Sequence, residues 1–124
     1  MEQDATFVHL LIKDQILEVT YKEGLHINYE IAEKIVRDRL LFTNGKKIPA
    51  IINCRGIISI DKRAREYLAS VEGTKGLSAT AIIVDSDYSR LLGNFFLYVN
   101  KTKMPVKIFR DIDKSVIWLH KYII

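Results

Sequence analysis

The chain opens with two short apolar stretches separated by three polar residues. Phe7, Val8, Leu10, Leu11 and Ile12 form the first, and in the second Ile16, Glu18 and Thr20 alternate with Leu17, Val19 and Tyr21. With Lys13-Asp14-Gln15 between them, the two predict a β-hairpin. From Asn28 the period lengthens to 3.6: Ala32, Ile35, Val36, Arg39 and Leu40 fall on one helical face, Asn28 stands as the N-cap and Gly45 lies past the end. Glu30/Lys34 and Glu33/Arg37 sit at i,i+4 in the favourable order, each worth about 0.2–0.5 kcal/mol on an exposed face.

Beyond Gly45 the strands become nearly continuous in apolar character. Ile48 to Asn53 and Ser78 to Val84 read as strands buried on both faces, and Val106 to Phe109 as a third. Pro49 is tolerated near the start of its strand, where few ladder donors are needed. Gly56 and Ser59 mark a turn, after which Ile60, Ala64, Tyr67, Leu68 and Val71 predict a helix of about three turns, stopped near Gly73 and Gly76. Asp85-Ser86-Asp87 precedes a helix carrying Leu91, Leu92, Phe95, Phe96 and Val99, and Asp111 or Asp113 opens a last helix with Ile112, Val116, Leu119 and Ile123 on one stripe. The order is ββαβαβαβα. Strands separated by helices imply right-handed crossovers, so the expected class is α/β, with a mixed, mostly parallel five-stranded sheet, four helices and an antiparallel first strand.

Composition narrows the class without naming a chemistry. At 124 residues, with 48% hydrophobic and 27% charged, the chain is expected to form a single domain over 1–124. Cys54 is the single cysteine and cannot form an intramolecular disulfide, so a cytoplasmic location is expected. The N-terminus carries Glu2 and Asp4 where a signal peptide carries cations, and no apolar run approaches the ~20 residues of a membrane span. Charge is uneven: residues 1–44 hold five Lys/Arg against eight Asp/Glu, residues 45–124 fourteen against seven. The densest basic stretch is Lys46, Lys47, Arg55, Lys62, Arg63 and Arg65, which Asp61 alone interrupts. Such a patch attracts anions of any kind, although a solvated helix face and turn also account for it.

Gly45 to Ser70, GKKIPAIINCRGIISIDKRAREYLAS, and Lys75 to Leu119, KGLSATAIIVDSDYSRLLGNFFLYVNKTKMPVKIFRDIDKSVIWL, resemble the small bacterial proteins grouped as STAS/SEC14-like, with a SpoIIAA-like fold. The small stand-alone members are largely uncharacterised, so the resemblance implies the fold and not a job; the expected function is a non-enzymatic protein-interaction or regulatory module. In the anti-sigma-factor antagonists of that fold, Asp-Ser-Ser-Gly opens the second helix and a kinase phosphorylates a serine there. Here Asp61-Lys62-Arg63-Ala64 occupies that place, so only Asp61 matches and no phosphorylatable serine stands at the motif. Carried onto this chain, the partner surface falls on Arg55, Gly56, Ser59, Asp61, Lys62, Arg63 and Arg65. Ser59, the nearest hydroxyl, is expected to satisfy the N–H groups of the helix start.

Other chemistry has weaker support. The strand ends at Asn53-Cys54-Arg55-Gly56, Asp85-Ser86-Asp87 and Arg110-Asp111 would share one edge and could line a polar cleft, yet caps and surface ion pairs explain the same residues. Cys54 with His9, His26 or His120 would make a nucleophile pair only if the fold joined them, and a lone cysteine is more often a small core residue. No histidine or cysteine pair has metal-ligand spacing, so no metal, cofactor or catalytic residue is expected. Gly73-Thr74-Lys75-Gly76 is too short for a phosphate loop, and the aromatics at Tyr67, Phe95, Phe96 and Phe109 fall on core positions, which argues against nucleic-acid binding. The helix around Leu92, Phe95 and Phe96 is apolar over most of its circumference. A second copy of the chain, a protein partner or a small apolar, lipid-like ligand would each cover it, and a small-molecule or lipid-binding (SEC14-like) domain with a pocket lined by these three is the alternative function.

Overall fold

The computed structural model describes residues 1–85 and 104–123. Its main sheet has six strands: β1 (Glu2–Asp4), β2 (Val8–Lys13), β3 (Ile16–Tyr21), β5 (Ile48–Asn53), β7 (Leu77–Ile83) and β8 (Val106–Phe109), side by side in that order. The first three are antiparallel; β3, β5, β7 and β8 run parallel, with Leu17 opposite Ala50, Ile51 opposite Ala81 and Ile82 opposite Ile108. A second, two-stranded parallel sheet joins β4 (Leu25–Ile27) to β6 (Ile57–Ile60). The helices among the described residues are α1 (Tyr29–Thr43), α2 (Lys62–Leu68) and α3 (Ile112–Leu119), the last followed by a 3-10 turn, His120–Tyr122.

The α/β class and the mixed sheet agree with the sequence; the strand count does not. The five expected strands are present, β1 adds a sixth at the edge of the main sheet, and β4 and β6 add a second sheet, so that Ser59 and Ile60 lie in a strand and not in the expected turn and helix. Glu2-Gln3-Asp4 is wholly exposed and polar, which keeps an edge strand soluble and leaves no apolar signal to read. The fourth expected helix, over Leu91 to Val99, lies outside the described residues.

Local chemistry explains most boundaries. Lys13 pairs with Ile16, so the hairpin loop is two residues, and Asp14 and Gln15 both take positive φ (52° and 66°). That is the primed turn whose twist matches the strands, here built without glycine. Asn28 Oδ1 accepts from Ile31 N at 2.9 Å and caps α1, whose C-cap Asn44 is left-handed. Lys34 reaches Asp38 at 3.3 Å rather than Glu30. The second helix is shorter than expected: Asp61 Oδ1 caps it at Ala64 N, 2.8 Å, it ends at Leu68, and Val71 is 87% exposed.

Strand alternation sends side chains to two cores. Val8, Leu10, Leu17, Val19, Ala50, Ile52 and Ile82 meet α1 and α2 on one face. Ile16, Ile51, Ala79, Ala81 and Ile83 meet Leu119 of α3 on the other. Because β5 and β7 are covered on both sides, their near-continuous apolar character follows.

Candidate functional site

The chain leaves the main sheet at Asn53, the carboxyl end of β5, and turns through Arg55-Gly56 into β6 and then α2. Asn53 Oδ1 accepts from both Arg55 N (3.2 Å) and Arg55 Nε (3.1 Å), which shapes that turn. Gly56 has a steric reason: a Cβ there would stand 2.6 Å from the carbonyl oxygens of Tyr21 and Lys22. Its own carbonyl accepts from Gly24 N at 2.9 Å, tying the turn to the start of β4.

Each sequence-selected side chain has a distinct local job. Ser59 is paired in register with His26 of β4, and its Oγ shares a 2.7 Å hydrogen bond with His26 Nδ1. The sequence led Ser59 to be expected as the cap of α2, and it is not; Asp61, two residues closer, does so. Arg65 donates from Nη1 to Ile60 O at 2.6 Å and is half-buried against its own helix start. Arg63 lies over the Tyr29 ring with its guanidinium carbon 4.1 Å from the centroid, and Tyr29 meets Tyr67 edge-on at 5.2 Å, so this stack clamps α2 to the first turn of α1. Lys62 is exposed, with Glu66 at 3.9 Å.

Arg55, Gly56, Ser59, Asp61, Lys62, Arg63 and Arg65 are thus gathered on one side, around β6 and the start of α2. The basic run is nevertheless divided. Lys46 and Lys47 precede β5 while Arg55 follows it, so six strand residues at about 3.3 Å each put roughly 20 Å between them. Sequence density overstated the patch, because a strand carries neighbours in sequence to opposite ends of a sheet.

Two further exposed residues complete the surface, Ile58, which the sequence did not single out, and His26, which it offered only as a partner for Cys54. Ile58 is 60% exposed between buried Ile57 and Ile60, and His26 faces solvent beside Ser59. The apolar triplet in Ile57-Ile58-Ser59-Ile60 was the available signal: a strand can bury only part of it against one face.

The remaining candidates separate. Cys54 is buried, with Sγ 3.8 Å from Ile52 O, and burial pushes its thiol up to about 12. None of the three histidines is its partner: His26 holds Ser59, His9 sits 2.6 Å from Glu2, and His120 begins the last turn. Among the described residues no three His, Cys, Asp or Glu side chains are grouped to hold a metal ion, and no helix is long and apolar enough to cross a membrane. β5, β7 and β8 do lie side by side, which brings their carboxyl ends to one edge; Asp87 lies outside the described residues, as do Leu92, Phe95 and Phe96.

No curated protein matches the chain. Among solved structures it is similar to an uncharacterized protein from the DUF3478 family with a SpoIIAA-like fold, from Shewanella loihica PV-4, at 15% identity and a TM-score of 0.61, over 94% of this chain and 98% of that one. The match fixes the fold and, at that identity, nothing of the site. The family model that matches, over residues 10–123, is DUF7793, a domain of unknown function; the chain belongs to that family and is built on the SpoIIAA-like fold.

Proposed function

We propose that this chain is a non-enzymatic interaction module that docks a protein partner on the surface formed by β4, β6 and the start of α2. The observation that carries the reading is Ile58, an aliphatic side chain 60% exposed on a short, hydrogen-bonded strand and flanked along the chain by exposed Arg55 before it and exposed Lys62 and Arg63 after it. An apolar anchor inside a basic rim fits an acidic surface that offers a complementary hydrophobic residue. Asp61, Ser59 and Arg65 serve the local fold, so they shape this surface while Ile58, Lys62 and Arg63 make the contact. The missing serine at the helix start leaves regulation by phosphorylation out of the proposal.

A photo-crosslinking residue at position 58, compared with one at exposed Val71, tests it in cells. One discrete adduct at 58 that is lost on Lys62→Glu, with none at 71, is the expected result, and an adduct at twice 14.3 kDa would make the partner a second copy. Equal, diffuse labelling at both positions would remove the surface.

A further inference from the structure

The most unusual charge in the fold lies far from that surface. Arg39, on the sheet-facing side of α1, is 3% exposed, and among the described residues no carboxylate lies within ion-pair reach of it. Its Nη1 donates to Lys75 O at 2.7 Å and its Nη2 to Gly73 O at 2.9 Å, two neutral acceptors in the loop between α2 and β7. A guanidinium has five N–H groups, so two carbonyls leave donors over and leave its charge without a counter-charge. Burial accordingly pulls Arg39 below its ordinary value.

Arg39 also lines a cavity of about 50 Å³ between α1 and the sheet, together with Tyr21, Ile35, Val36, Ile52 and Ile82. Tyr21 is buried and lines the same cavity as Arg39, and among the described residues its hydroxyl makes no hydrogen bond. The cavity therefore joins one cation and one phenol donor to walls that are mostly apolar, with Thr74 and Thr80 also on its lining.

We infer that this cavity is a binding site for a short-chain monocarboxylate, its carboxylate on the Arg39 guanidinium and the Tyr21 hydroxyl and its alkyl end against Ile35, Val36, Ile52 and Ile82. At about 10–15 Å³ of such volume per water-sized group, the space takes roughly three to five non-hydrogen atoms, the size of acetate or propionate. A hydrated inorganic anion fits less well, because the walls would strip its water and return nothing, whereas an alkyl group matches them. The bidentate geometry of a carboxylate suits a guanidinium that keeps free N–H groups in a fixed plane. The inference is independent of the docking surface, which shares none of these residues.

The test is a titration of the intact chain with sodium propionate, followed by NMR at the backbone amides of Ile35, Val36 and Ile82 and at the Arg39 side-chain Nε–H. Sodium chloride and propan-1-ol at the same concentrations separate a carboxylate from an anion in general and from an alkyl group alone. Saturable shifts with propionate only are expected, with affinity reduced by about tenfold or more in both Arg39→Met and Tyr21→Phe. Arg39→Met also removes the loop contacts; if it fails to fold, Tyr21→Phe, which keeps the guanidinium, decides alone. Absence of saturable shifts, the same shifts with chloride, or undiminished affinity in Tyr21→Phe would each overturn the inference.

Discussion

Arg39 and Arg63 both neighbour tyrosines, and the two could hardly be used more differently. Arg63 spreads its guanidinium on the outside of the Tyr29 ring, exposed to water that screens its charge. Arg39 is buried between α1 and the sheet, where two backbone carbonyls and, among the described residues, no carboxylate answer it. An exposed cation–π contact contributes about 0.5–1 kcal/mol, so Arg63 can be changed cheaply and is free to serve recognition. A buried cation has no such freedom: it is kept only while its acceptors stay in place, and those acceptors hold the α2–β7 loop. Burial, rather than residue type, separates Arg39, which builds the fold, from Arg63, which is open to the proposed partner.

The largest effect expected from that contrast is at Arg39. Arg39→Ala leaves the Gly73 and Lys75 carbonyls without a donor and opens a void beside the sheet, each a cost of about 1–3 kcal/mol or more, so a total loss of about 3 kcal/mol or greater is expected in urea denaturation. Arg39→Lys keeps the charge but replaces a planar fork by one ammonium, and should recover less than half of the loss. A cost below about 1 kcal/mol for Arg39→Ala would end the distinction between the two arginines.

The buried side of the contrast has a pH signature through Cys54, which shares its apolar surroundings with Tyr21. Burial raises the thiol from 9.0 to about 12, and Tyr21 is raised above its ordinary 10.0 by burial first and then by Cys54. Between pH 9.0 and about 12 the folded chain keeps a thiol proton that the unfolded chain has released. Stability is thus fully present below pH 9.0 and falls as pH rises, by roughly 1 kcal/mol per unit from Cys54 alone. Cys54→Ala should flatten the decline between about pH 9 and 10, before Tyr21 takes over. An unchanged slope in that variant would place the alkaline loss elsewhere.

Much of the fold was legible because it rests on neighbours in sequence. The alternation of Ile16 to Tyr21, the N-cap at Asn28 and the two-sided strands at Ile48–Asn53 and Leu77–Ile83 each encode their own local geometry. The features that escaped depend on distance. Arg39 lies on the apolar stripe of α1, as read, yet its acceptors are 34 and 36 residues away and no local pattern announces them. β4 and β6 are three and four residues long and exist only through each other, across a loop that contains α1 and β5. Ser59 was assigned to the helix that follows it because sequence shows what comes next, whereas its partner is His26, 33 residues earlier. The basic run lost Lys46 and Lys47 for the complementary reason: adjacency along a strand is separation in space.

The exposed side of the contrast is sharpened by the smaller changes. Arg63→Ala should cost no more than about 1 kcal/mol, since only the stack on Tyr29 is lost and the edge contact of Tyr29 with Tyr67 remains. Lys62→Glu should cost less still, within about 0.5 kcal/mol, because Lys62 is exposed and its 3.9 Å approach to Glu66 is a loose, screened pair. The replacement does place a like charge one turn from Glu66 and at the start of α2, where the N-terminal end of the helix favours an acid, so the two effects oppose each other and the net change is small. On the proposed docking surface its expected consequence for recognition is not small, since it reverses a charge on that surface. Thermal unfolding and crosslinking at position 58, measured on the same Lys62→Glu preparation, separate the two: a retained melting temperature with a lost adduct assigns Lys62 to the partner. A melting temperature lowered as far as that of Arg39→Ala would instead make this surface part of the scaffold, and the division between buried and exposed basic residues would fail at its outer member.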